Sequence, residues 1–217
     1  MKRLLCLAAS CVIVASTAHG QEPSQQAPSR VRSAALVDVM ATRGLECGLL
    51  RPWQAVALRA LNNYDMKSWN PEQREMVWPE TARQLAETDC ENEMMRVWIE
   101  GSSRGFETEM LPPYLVAYRT LALMENPPEV FAATALHLDH GAAVDAIDAK
   151  FAELEASGAV AEGGYSWPDY IENTQGFIEA FAATLADPQA SGPEADQAAA
   201  WLAQSVLVVE LWLMDQP

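Results

Sequence analysis

AAAWLAQSVLVVELWLM, residues 198–214, is interrupted only by Gln204, Ser205 and Glu210. On a helix its large side chains fall on three sides. Trp201, Ser205, Val208 and Trp212 make one face; Leu202, Val206, Val209 and Leu213 the next; Leu207, Leu211 and Met214 the third. A helix that is apolar all round has to be covered on several sides. The stretch is therefore expected to be the buried central helix of an all-helical body, with Val206, Val209 and Leu213 almost fully enclosed. The competing reading is a membrane anchor. At 17 residues the stretch is near the bottom of the range of about 17–25 for a spanning helix. It contains a Gln and a Glu, and no Lys or Arg flanks it. These features favour a buried soluble helix and no stable membrane insertion.

Working outward, the rest of the chain carries the same periodicity. Pro193 opens the last helix, and Asp187-Pro188 closes the one before it. That helix starts at Pro168 and carries Ile171, Thr174, Phe177, Ile178, Phe181 and Leu185. Val144, Ile147, Phe151 and Leu154 recur three or four apart and end at Gly158. Phe131, Thr134 and Leu138 belong to a helix expected to stop at Gly141. Pro112-Pro113 leads into Tyr114, Tyr118, Leu121 and Met124, and Gly101 to Gly105 reads as a loop. Cys90 opens a helix with Met94, Val97 and Trp98 on its apolar face. Asn70-Pro71-Glu72-Gln73 is a helix start with a capping side chain and a first-turn proline, and Pro79 should kink or split that helix. Pro52 starts the second helix, and the first runs from Val31 to a stop at Gly44. No alternating run of strand length stands out. The reading is one all-α domain, residues 31–217, a bundle of eight or nine helices around a buried C-terminal helix.

The N-terminus reads as a targeting segment. Lys2 and Arg3 precede the apolar run Leu4–Ala15, and Ala18-His19-Gly20 offers small residues for cleavage before Gln21. Residues 1–20 are then a signal peptide and residues 21–30 a disordered polar leader. The protein is expected to be periplasmic or secreted. Cys6 and Cys11 leave with the signal, so Cys47 and Cys90 remain as one disulfide suited to an oxidising compartment. Loss of Lys2 and Arg3 leaves 12 basic residues against 30 acidic ones, a net charge of −18. That disfavours nucleic acid and anionic lipid and suits a basic protein partner.

Three features carry candidate chemistry. Gly101-Ser102-Ser103-Arg104-Gly105 matches the G-x-S-x-G pattern that exposes a nucleophilic serine at a strand-to-helix turn. No strands surround it, which leaves a hydrolase using Ser103 without its scaffold. His137 and His140 are three apart and could share a divalent ion on one helix face. Two ligands do not make a site, and a helix C-terminus capped at Gly141 accounts for the same residues. Of the seven tryptophans, Trp53, Trp69, Trp78, Trp98 and Trp167 sit near helix ends or prolines. They are read first as staples between helices and second as the lining of a groove for a small apolar ligand. No phosphate loop, zinc finger or basic stripe is present, so no cofactor, catalytic residue or metal ligand is assigned. The sequence therefore points to an acidic, exported helical protein that acts by binding. A hydrolase using Ser103 or a metal-dependent enzyme using His137 and His140 is the alternative.

Overall fold

The computed structural model describes residues 27–135, 139–187 and 191–216, and among these there are helices and no strands. The expected signal segment and His137 lie outside the described residues. Eight helices of eleven residues or more form the body: α1 Ser29–Glu46, α2 Pro52–Met66, α4 Val77–Glu87, α5 Glu93–Gly105, α6 Pro112–Leu123, α8 His140–Ala156, α9 Trp167–Ala186 and α10 Pro193–Met214. Two short segments, α3 Pro71–Glu75 and α7 Glu129–Thr134, complete the order.

The local stops and starts follow from single residues. Asn70 Oδ1 accepts the Gln73 N–H at 2.8 Å, capping α3. Pro79 cannot donate to the carbonyl four residues back, and its ring crowds it. The chain accordingly breaks at Met76 between α3 and α4. Ser166 caps α9 through the Asp169 N–H, with Pro168 in the first turn. Gly44 does not end α1, as its sequence position suggests; the helix runs on to Glu46. A Cβ at Gly44 would stand 2.6 Å from Leu50 Cδ1, so the glycine is there to let Leu50 lie against the helix. The first helix also starts at Ser29, inside the stretch expected to be leader.

The disulfide is present. Cys47 and Cys90 are bonded with Cα atoms 5.5 Å apart. Cys90 does not open a helix; Asn92 caps α5 by accepting the Met95 N–H at 2.9 Å. The bridge thus ties the end of α1 to the link between α4 and α5. Arg43 reinforces the same joint, donating to the carbonyls of Leu85 and Thr88 at the end of α4.

The main core runs from Met40 to Trp212 and draws on α1, α2, α5, α6, α8, α9 and α10. A smaller cluster, Val31, Ala34, Ala35, Trp69 and Val77, seals α1 against the start of α4. At its edge the Arg30 guanidinium lies 4.2 Å from the Trp69 ring centroid. Helix α10 packs against α2, α6, α7 and α9. Its first two faces are mostly inside: Leu202, Val206, Val208 and Val209 are fully enclosed and Trp212 nearly so, but Trp201 and Leu213 are only partly covered. The third face is largely outside, with Leu207 and Met214 exposed and Leu211 partly covered. Leu213 lies at the margin of the covered side, so the expectation that it is almost fully buried is corrected.

Two further corrections bear on the site. Gly101 to Gly105 is not a loop but the last turn of α5. The helix continues because Met95, Ile99 and Phe106, one or two turns apart, all anchor in the core. It then widens into a π-helical turn, Phe106–Met110, closed by the Leu111 N–H to Phe106 O bond at 3.0 Å. Gly141 is not a helix stop. Asp139 accepts the Gly141 and Ala142 N–H groups at 2.9 and 3.3 Å, so α8 begins at His140. Aspartate is a strong N-cap in its own right, and that decided the direction.

Candidate functional site

Helix α5 carries apolar side chains on two sides. Met95 and Ile99 point inward, with Phe106 beyond them packed edge-on against Trp53 at 6.2 Å between ring centroids. Met94, Val97 and Trp98 point outward, 77%, 61% and 37% exposed. The spacing 94, 97, 98 places these three in one ridge on a helix. They are the residues read from sequence as sharing one face of the helix, and that face is turned outward. The inward stripe 95, 99, 106 also keeps a helical spacing, and its pair 95 and 99 is the pair 94 and 98 shifted by one residue. Ile99 and Phe106 win the core because they can dock against Leu50 and Trp53.

The ridge has an acidic border. Glu93 and Glu100 stand four residues before and three after Val97, hence on the same side of the helix, and both are exposed. Glu91 precedes the helix and is also exposed; Arg96 is the basic neighbour. Gly101 has no atom near the place of a Cβ, which leaves the far end of the ridge open. Exposed large apolar side chains standing together mark contact sites more often than scattered ones do.

The tryptophans divide. Trp53, Trp69 and Trp167 are buried staples, as read from sequence. The Trp167 indole donates to Ala159 O at 2.8 Å and packs against Phe151 and Tyr170. Trp78 is exposed and Trp98 lies at the surface, 37% exposed, so neither is a buried staple. Two open grooves lie elsewhere, and none of these five tryptophans lines them. One of about 300 Å³ lies between Arg43 and the segment from Leu85 to Cys90. The other, about 560 Å³, is lined by Arg51, Lys150, Glu107, Glu153 and Trp212 among others. Its cations are engaged: Lys150 Nζ is 2.9 Å from Glu107, and Arg51 is 3.0 Å from Asp215. Its partners Glu107 and Glu153 hold the Lys150 ammonium above its usual range, against the opposing pull of burial.

Ser103 has its backbone within α5, so the glycine motif makes no sharp turn and has no strand before it. His140 sits at the first turn of α8, where a positive charge gains nothing from the helix dipole. Its Nδ1 is 3.1 Å from the Tyr118 hydroxyl, and its ring lies against Phe131, centroids 5.2 Å apart. Burial first, and then the charge of Glu210, pushes the Tyr118 phenol up to about 12. No three metal-capable side chains cluster among the described residues. Comparison with protein-family models, with curated proteins and with solved structures finds no match for this chain.

The outward ridge was legible in one respect only. Two interleaved apolar stripes on α5 exceed what one buried face needs, and that surplus was visible in the residues Met94 to Ile99.

Proposed function

We propose that this is an exported, non-catalytic binding protein that holds a basic protein partner on the α5 ridge. The observation that carries the reading is the exposed ridge Met94, Val97 and Trp98 with Glu91, Glu93 and Glu100 at its border. Trp and Met supply most anchor area at interfaces, because they are large and, for Met, adaptable. The carboxylates add directional attraction for Lys or Arg, and the chain's net charge steers a basic partner toward it. The Cys47–Cys90 bridge supports an oxidising compartment. It also lies three residues before α5 and ties the approach to that helix to the end of α1. Among the described residues the candidate nucleophile and the acid–base groups stand on different helices. Tyr118 and His140 meet each other, and Ser103 is in another helix.

The test is calorimetric titration of the protein with a basic amphipathic Leu/Lys peptide and with its Leu/Glu counterpart. The basic peptide should bind, more weakly as salt rises, and the acidic one should not. Trp98→Ala and Val97→Ser should each weaken binding by about tenfold, as loss of an interface anchor does. Equal binding to wild type and both variants would mean that the net charge alone attracts the peptide and the ridge is no docking site.

A further inference from the structure

The two halves of the Cys47–Cys90 bridge stand in different surroundings. Cys47 is partly buried and packs against the main core. Cys90 is exposed and lines the open groove of about 300 Å³ that runs from Leu85 to Cys90. An external thiolate has to reach one sulfur of a disulfide directly, and exposed bridges are the ones that exchange. The approach to Cys90 is also acidic. Glu87, Asp89 and Glu91, all exposed, stand within three residues of it, and exposed Glu46 adjoins Cys47. The nearby cations are engaged: Arg43 with Glu46 and the carbonyls of Leu85 and Thr88, Arg83 with Glu80 and Glu87.

The joint around the bridge is lopsided as well. Arg43 holds the end of α4 on α1 without help from the sulfurs, through bonds of 3.0 Å to Thr88 O and 2.9 Å to Leu85 O. On the other side the Glu91 and Asn92 N–H groups bond back to Asp89, within the link itself. The next anchor along the chain is Met95, the first residue of α5 in the core.

From this we infer that Cys90 Sγ is a site of thiol–disulfide exchange, open to a cationic thiol and unfavourable to an anionic one. The attacking sulfur bonds to Cys90 Sγ as the bridge breaks, and the electron pair leaves on Cys47 as thiolate. A second thiol then displaces Cys90 from the mixed disulfide, so two thiols become one disulfide while the bridge becomes two thiols. The carboxylates around the groove repel a thiolate that brings further negative charge and attract one that carries an ammonium. Opening is local: α4 stays on α1 through Arg43, and the start of α5, with Met94, is released.

Cysteamine, whose thiol carries an ammonium, and mercaptoacetate, whose thiol carries a carboxylate, are the probes, applied to the folded disulfide-bonded protein. An early quench with N-ethylmaleimide and peptide mapping should find cysteamine on Cys90 and maleimide on Cys47. Cysteamine mainly on Cys47, or equally on both, would overturn the inference. At equal thiolate concentration and low salt cysteamine should react at least about tenfold faster than mercaptoacetate, and the ratio should shrink as salt screens the carboxylates. Equal rates at low salt would overturn the selectivity. Adding about 1 M urea should leave the cysteamine rate within about twofold; a rise of about tenfold or more would mean that the bond is reached only by unfolding, which overturns the site. In the reduced and alkylated protein the Met95 and Arg96 amides, whose acceptors are on Asn92, should exchange with solvent at least about tenfold faster, while those of α10 keep their rates. Faster exchange throughout the chain would overturn the local opening.

Discussion

Leu202→Ala is the sharpest probe of the architecture. Leu202 is on the inner side of α10 and is 0% exposed, within the main core. Truncation to Ala removes three carbon groups, roughly 2.4 kcal/mol at ~0.8 kcal/mol each. A residual cavity adds to that, so a loss of about 3–4 kcal/mol is expected, within the ~2–5 range for core leucines. For a domain of this size each kcal/mol moves Tm by about 2–4 °C, which predicts a fall of roughly 6–16 °C. Leu207→Ala, five residues on, is the internal control. Leu207 is 45% exposed, its outer side faces no neighbour, and no closed cavity can form, so its cost should stay near 1 kcal/mol. Urea unfolding followed by far-ultraviolet circular dichroism, on both variants with the disulfide intact, gives the two values. A Leu202→Ala loss below about 1 kcal/mol, or one equal to that of Leu207→Ala, would refute the assignment of inner and outer faces.

Reduction of the Cys47–Cys90 bridge should lower stability by about 4 kcal/mol, the chain-entropy value for a separation of 43 residues, and thiol titration of the unreduced, denatured protein should find neither cysteine free. The Arg83 and Gln84 hydrogen bonds hold the Glu80 carboxyl at about 2, below its ordinary 4.5. The stability this contributes is present above about pH 4.5 and lost as pH falls toward 2; Glu80→Gln should therefore lower stability at neutral pH, change little near pH 2, and so flatten that acid limb of the unfolding curve. Mass spectrometry of the exported protein should give an N-terminus at Gln21; a retained leader or a lipid on Cys11 would refute the secretory reading. Gly44→Ala should destabilise despite the higher helix propensity of alanine, because the added methyl meets Leu50 at 2.6 Å; a stabilised variant in thermal melts would show that Leu50 gives way freely.

The class of fold was legible in the residues because helix signals are local. Proline at the first turn, Asn70 and the 3–4 spacing of Val144, Ile147, Phe151 and Leu154 act through the chain's own backbone, and each produced the expected helix. The disulfide was legible by elimination, since the expected mature chain has one cysteine pair. What failed was the choice between equivalent local options. Asp139-His140-Gly141 can end one helix or begin another, and the side-chain cap settled it. Gly101 to Gly105 can be a loop or a helical turn; the anchoring of Ile99 and Phe106 made it helix.

Which side of an apolar helix faces in is a property of the neighbours, not of the helix. Residues 94–99 hold two stripes of similar hydrophobicity, and residues 198–214 hold three. The sequence alone determined that α5 and α10 carry more apolar surface than one contact consumes. Only the tertiary structure decided which of it is spent on the core and which is left outside. It did so because a neighbour covers a limited arc: α2, α6, α7 and α9 take one side of α10 and leave Leu207 and Met214 to the surface.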